Sequence, residues 1–365
     1  MRAAIRRAVV VALPAWVISR VLALACLGVT VLAHGGHTPL AGGRHVPGSH
    51  GWWAWDAAWY RLIAEHGYLK APPGGVRFFP LFPLLGRSLG AVFGGHDDVA
   101  LVLLANAFAL AFGVVVVLLT ERTLNQAAAD RAAWLTLLAP GAVVLVMAFA
   151  EPLAGLLSGL FLLAVRSRGP AAWWAAPIGV LIGLTRPTGC LIAVVPAIEF
   201  LAASRRKELP TLLAATIGPL AGTAIFCAWS AHVYGDFLAP YQVQTESNLR
   251  GGLIANPIHS IFLAPNHAGL PIPLRIAAVA LTIGLVVLTW RVLPASIALW
   301  ATLLAVAALT QERLTSMPRY ISGDFPLFIA LAAVLHGRRT VVTVSASAAL
   351  FAAVAITGFN GSTVL

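Results

Sequence analysis

The sequence predicts an all-α, polytopic membrane protein of about eleven spanning helices, and three observations predict it. Hydrophobic residues make up 59% of the 365, while charged residues make up only 10%, far below the share of about a quarter in soluble domains. Mean hydropathy is +0.88. Finally, the apolar runs are separated by short clusters of arginine and lysine. A net charge of +11 would otherwise suggest nucleic acid. No nucleic-acid partner is expected, because positive-inside bias accounts for these clusters. Cys26, Cys190 and Cys227 all lie inside apolar runs without metal-ligand spacing, and they read as small buried hydrophobes with no disulfide framework.

The chain reads as a single polytopic membrane domain, residues 1–365. Its first apolar run, Ala8 to about Ala33, follows MRAAIRR. It exceeds a signal-peptide h-region of about 7–15 residues and lacks a small-x-small cleavage site, so an uncleaved span with a cytoplasmic N-terminus is expected. Arg20 near its middle is expected to snorkel or pair for stability, in preference to facing a partner or an aqueous cavity, since a charge at that depth is costly. Residues 34–98 form a first large extracytoplasmic loop. Within it, WWAWDAAWYRLIAEHGY (52–68) reads as a helix at the membrane surface. Trp52, Trp55, Trp59, Leu62 and His66 recur along one stripe, with Asp56, Tyr60 and Ile63 along its neighbour. Tryptophan and tyrosine favour the headgroup level, so such a helix offers one acid to a cleft.

FFPLFPLLGRSLGAVF, with Pro80, Pro83 and Arg87, is a poor span and reads as re-entrant or interfacial backbone. Val99 to Thr120 is a clear span. The run at 132–150 carries Pro140-Gly141, an expected kink, and ends at Glu151-Pro152. The next runs close at Arg166–Gly169, at Thr185–Gly189 and at Ser204–Glu208, and they are short against the roughly 20 residues a span needs. A long run, 210–233, opens into a second large extracytoplasmic loop, 235–272, holding Asp236, Tyr241, Glu246, His259 and His267. Later spans end at Trp290-Arg291, near Thr310, at His336–Arg339 and near the C-terminus. Basic clusters at Arg2–Arg7, Arg122–Arg131, Arg166–Arg168, Arg205–Lys207, Arg291 and Arg338-Arg339 alternate with acids elsewhere. Positive-inside bias therefore places Asp56, Glu151, Arg186 and Arg319 on one extracytoplasmic face of the cell membrane.

Acids and arginines thus collect at span ends on one side, where a membrane enzyme would place a site. A transporter or lipid flippase would instead want charges near the midplane, where Arg20 is the main exception. There is no Gly-rich phosphate loop, HExxH helix or GxSxG elbow. The histidines lack paired metal-ligand spacing, so no metal is expected. One chemistry suits an isolated acid with several arginines: transfer of a sugar from a lipid phosphate to a hydroxyl. A phosphate leaving group is a weak base and needs no proton, so a single carboxylate that takes the acceptor's proton suffices. Arginines hold the phosphate. Glycoside hydrolysis would require two carboxylates.

Trp55-Asp56, Trp59-Tyr60, Ile63-Ala64 and Gly67-Tyr68, followed by Phe78-Phe79-Pro80-Leu81-Phe82-Pro83, resemble the first-loop signature of the PIG-V-like mannosyltransferases. These are polytopic GT-C-fold enzymes. Ala150-Glu151-Pro152, Thr185–Gly189, and Arg319-Tyr320 before Phe325–Phe328 resemble further islands of that family, in the same order. The resemblance implies inverting transfer from a polyprenyl-phosphate-mannose donor to an extracytoplasmic lipid or glycan acceptor, without a cofactor. It makes Asp56 the catalytic base. Arg186 and Arg319 are expected at the donor phosphate with Arg77 behind them, and Glu151 is expected to pair with an arginine or orient a hydroxyl. Trp55, Trp59, Tyr60, His66 and Tyr320 complete the expected substrate contacts. The chain departs from the eukaryotic pattern at Ala57–Tyr60 and at Arg186–Gly189, which leaves the acceptor open.

Overall fold

The computed structural model describes residues 2–40, 46, 48–202, 208–245, 257–262, 271–310 and 314–361. The expected second-loop residues Glu246 and His267, and the basic cluster 205–207, lie outside them, as does the side chain of His259. The described residues are almost wholly helical, with one isolated bridge between Leu40 and His50. In order the helices are α1 (Arg2–Ala33), α2 (Asp56–His66), α3 (Leu81–Val92), α4 (Asp97–Thr123), α5 (Gln126–Leu137) and α6 (Glu151–Val165). Then come α7 (Ala175–Gly183), α8 (Val194–Leu201), α9 (Leu209–Tyr234), α10 (Ala239–Gln242) and α11 (Pro257–Phe262). The last are α12 (Ile272–Val292), α13 (Ala295–Leu309), α14 (Met317–Gly323), α15 (Phe325–Val334) and α16 (Arg338–Phe359). Among the described residues α1, α4, α9, α12 and α16 are long and apolar enough to cross a membrane singly. Six further apolar stretches form shorter helices of 10–17 residues.

Local chemistry explains several boundaries. Asn125 caps α5, its side-chain oxygen accepting from the Ala128 N–H at 2.9 Å. Gly235 takes the left-handed conformation, φ 74°, that closes α9. At the opposite end of the bundle Arg7 reaches Glu121 at 3.0 Å and Asp130 at 2.7 Å, joining α1 to α4 and α5. The pairing of α7 with α9 is set by glycine: a Cβ at Gly222 would lie 2.0 Å from the Val180 carbonyl oxygen. Such close backbone approach substitutes for the hydrophobic effect, which provides no net attraction between helices in lipid.

Two expectations from the sequence are corrected. The run at 132–150 is no kinked span: α5 stops at Leu137, and 138–150 is irregular apart from a short 3₁₀ turn, Ala142–Leu145. Glu151 therefore opens a helix and does not close one. Every residue from Gly141 to Ala150 is buried, which is how irregular backbone survives at membrane depth. Likewise the aromatic stripe does not run from Trp52. Gly51–Trp53 is a 3₁₀ turn, and α2 begins at Asp56.

Candidate active site

Three interruptions in the helices face the start of α2: the irregular stretch before α6, the break at Thr185–Arg186 after α7, and short α14 before α15. Each delivers one charged side chain. Arg319 on α14 donates through Nη1 to Oδ2 of Asp56 at 2.5 Å. Its Nε lies 3.2 Å from Oε1 of Glu151, and the same oxygen is 3.7 Å from Nη2 of Arg186. Carboxylates and guanidiniums thus alternate in the order Asp56, Arg319, Glu151, Arg186, and their charges cancel. Desolvation of a charge in this interior is costly, and alternation offsets it.

Burial grades along the chain of charges. Side-chain exposure is 5% for Glu151 and 8% for Arg319, but 19% for Asp56 and 17% for Arg186. The two ends are therefore the reachable groups. Asp56 Oδ1 has no protein donor among the described residues, and Glu151 Oε2 is buried without a hydrogen-bond partner. Both carboxylates occupy the first position of a helix, α2 and α6 respectively, where the macrodipole favours the anion. Trp55, immediately before Asp56, has φ 62°, the one positive value at a non-glycine among the described residues. Strain of this kind costs about 1–3 kcal/mol and collects at functional sites.

Aromatic rings line the same place. Tyr320 lies beneath both cations, 4.8 Å from Arg319 and 5.7 Å from Arg186, and its hydroxyl accepts from Arg319 Nη2 at 3.2 Å. Phe149 faces Arg319 from 5.6 Å. Tyr60 meets Phe78 and Phe82 edge-on at 5.1 and 5.2 Å. Burial, with the Glu151 and Asp56 charges adding to it, pushes the Tyr60 hydroxyl well above the ordinary phenol value, so it remains a neutral phenol. Trp59 stacks on Phe78 at 5.4 Å, and Arg77 lies over both rings, 5.3 Å from Trp59 and 4.7 Å from Phe78. Arg77 has no carboxylate partner among the described residues, and the flat platform leaves its donors available.

Of the residues singled out in the sequence, Asp56, Glu151, Arg186, Arg319 and Tyr320 are in direct contact, Tyr60 lies within electrostatic reach of Glu151 and Asp56, and Arg77 and Trp59 are linked to Tyr60 through Phe78. Trp55 is turned elsewhere, its indole N–H donating to the Gly358 carbonyl at 3.0 Å. His66 stands at the exposed far end of α2 beside Glu65, at 3.7 Å. Phe149 went unnoticed in the sequence, Phe78 figured there only within the first-loop resemblance, and Gly141 only as part of an expected kink. A phenylalanine in an apolar run carries no mark of lying under a cation.

The chain matches ArnT from Cupriavidus metallidurans bound to undecaprenyl phosphate with a TM-score of 0.54 at 13% identity, over 97% of this chain and 75% of that one. The Archaeoglobus fulgidus oligosaccharyltransferase tethered to an acceptor peptide matches with 0.53 at 16% identity, over 96% and 55%. AglB of the same organism, with an inhibitory peptide and a dolichol-phosphate, matches with 0.50 at 16% identity over the same shares. The chain thus spans three quarters of one neighbour and little over half of the others. No family model and no curated protein sequence matches it. At such identities the likeness is one of architecture: this is a membrane protein with a GT-C-type fold.

Proposed function

We propose that this protein is a membrane glycosyltransferase that moves a sugar, mannose by its resemblance, from a polyprenyl phosphate to a hydroxyl of an extracytoplasmic lipid or glycan acceptor. It would sit in the cell membrane with its N-terminus in the cytoplasm and the Asp56 cluster on the outer face. The observation that carries the reading is Asp56 itself. It is oriented through one oxygen by Arg319 and open at the other, in a fold shared with proteins solved with undecaprenyl and dolichol phosphates.

In the reaction an acceptor hydroxyl attacks the anomeric carbon as its proton passes to Asp56 Oδ1. The new C–O bond forms while the bond to phosphate breaks, and the phosphate keeps the electron pair. Attack opposite the leaving group inverts the anomeric centre. Arg186, at the reachable end of the cluster, and Arg77, on its aromatic platform, are placed to neutralise that phosphate. Glu151 holds Arg186 and Arg319 at a set separation. Tyr60 and Tyr320 supply hydroxyl and ring contacts.

The test uses purified wild type and Asp56→Asn with radiolabelled polyprenyl-phosphate-mannose and a membrane-lipid extract. Wild type transfers label to a new product. Asp56→Asn binds donor yet loses transfer by about 10²–10⁴-fold, the usual worth of a general base. Full activity in that variant ends the mechanism as written.

A further inference from the structure

The charged cluster hangs on the irregular stretch 138–150, and that stretch is tied to the bundle from deep within the membrane. Its end presents Glu151, and Phe149 faces Arg319. Its start touches the other side of the cluster: a Cβ on Gly141 would lie 2.2 Å from the Pro318 carbonyl oxygen and 2.6 Å from the Arg319 nitrogen. The Gly141 N–H also donates to Ser322 Oγ at 2.9 Å. One segment therefore sets the separation between Glu151 and the backbone bearing Arg319.

Irregular backbone leaves carbonyls that no helix ladder satisfies. Two polar side chains on neighbouring spans satisfy consecutive ones. Arg20 of α1 donates through Nη2 to the Leu145 carbonyl at 2.7 Å, and Asn106 of α4 donates to the Val146 carbonyl at 3.0 Å. The two are also joined to each other, Arg20 Nε to Asn106 Oδ1 at 2.9 Å. Trp16 braces the pair, with its ring 4.6 Å from the Arg20 guanidinium and its indole N–H donating to the Asn106 carbonyl at 3.0 Å. Arg20 has no carboxylate partner among the described residues. A cation kept at that depth for pairing alone would be better served by an acid.

We infer that Arg20 and Asn106 are positioning residues for the Asp56–Arg319–Glu151–Arg186 cluster, acting through the carbonyls of Leu145 and Val146 to fix the spacing of its two arginines. The kinetic part rests on the transferase reading above, so the experiment carries a second readout that does not. Arg20→Lys and Asn106→Ala, in the full chain in detergent, are compared with wild type by hydrogen–deuterium exchange and by transfer kinetics. Faster exchange is expected at 142–150 and also at 317–323, with α12 and α13 unchanged. The KM for the polyprenyl-phosphate donor is expected to rise about tenfold with kcat held within roughly threefold, as loss of remote support for a positioned group does. A purely structural role would lower the active fraction and so the maximal rate, leaving KM alone. Exchange changes confined to α1 and α4, or an unchanged KM in folded variants, overturn the inference. A wild type that transfers nothing overturns the function proposed, and exchange at 317–323 then still decides this inference.

Discussion

Arg319 and Arg20 are both guanidiniums withdrawn from water, and their surroundings are opposites. Arg319 is answered by two carboxylates and two rings. Arg20 is answered by an amide, a hydroxyl, two carbonyls and one ring. Neutral acceptors hold a cation in place without offering it a reason to exchange partners. A cluster of alternating charges whose ends are reachable leaves an arrangement that an incoming anion can rejoin, because charge, once neutralised, can be redistributed. On the function proposed above, chemistry belongs to the first kind and scaffolding to the second. The guanidinium's delocalised charge and forked donors allow one residue type to do both.

The comparison can be broken most forcibly at Glu151. Glu151→Gln removes the anion between two arginines and leaves them buried with one countercharge. A loss of about 3–5 kcal/mol in stability is expected, the cost of breaking a buried pair, read as a lower unfolding midpoint in detergent together with weaker donor binding. Gly141→Ala comes next. Its new Cβ must displace the backbone at Pro318, and overpacking of that kind costs about 1–3 kcal/mol. Thermal unfolding measures the loss, and a rise in donor KM accompanies it because Arg319 moves. Arg77→Ala sharpens the contrast from the other direction, since this arginine has rings but no acid. A drop in donor affinity of roughly tenfold is expected, in line with one charge-assisted contact of about 1.5 kcal/mol, with the unfolding midpoint unchanged. Arg77→Lys should not restore it, because a compact ammonium does not stack. The smallest effect is Arg7→Ala at the opposite end of the bundle. Its acids are a quarter to a half exposed, so less than about 1 kcal/mol of stability and no change in transfer are expected. A large loss of activity there would show that remote ion pairs matter as much as the central cluster.

Much of the site was legible because polar residues in an apolar chain are conspicuous. Glu151, Arg186 and Arg319 fall at the ends of hydrophobic runs, Asp56 lies among the aromatic residues of the first loop, and hydropathy alone sets all four apart. Their partnership was not legible: Asp56 and Arg319 are separated by 263 positions, and no local pattern tells which acid meets which arginine. The same limit explains the error over 132–150. That run is apolar enough to read as a span, yet its backbone leaves the helix because Arg20, Asn106, Ser322 and Ser347 supply the hydrogen bonds it forgoes. His66 does share a face of α2 with Trp59 and Leu62, but ten residues along the helix from Asp56 it stands exposed at the far end.

Composition and run length by themselves determined a helical membrane protein, since transfer of side chains into lipid is a local sum that depends little on neighbours. They also determined where charge could not be avoided, and hence the candidate groups. Tertiary structure alone decided that Asp56 keeps one oxygen open, that Glu151 stands between two arginines, and that a mid-membrane arginine holds a loop instead of an acid. The physical reason is that a hydrogen bond or ion pair depends on distances of about 3 Å. Such distances arise only when segments far apart in the chain are packed against one another.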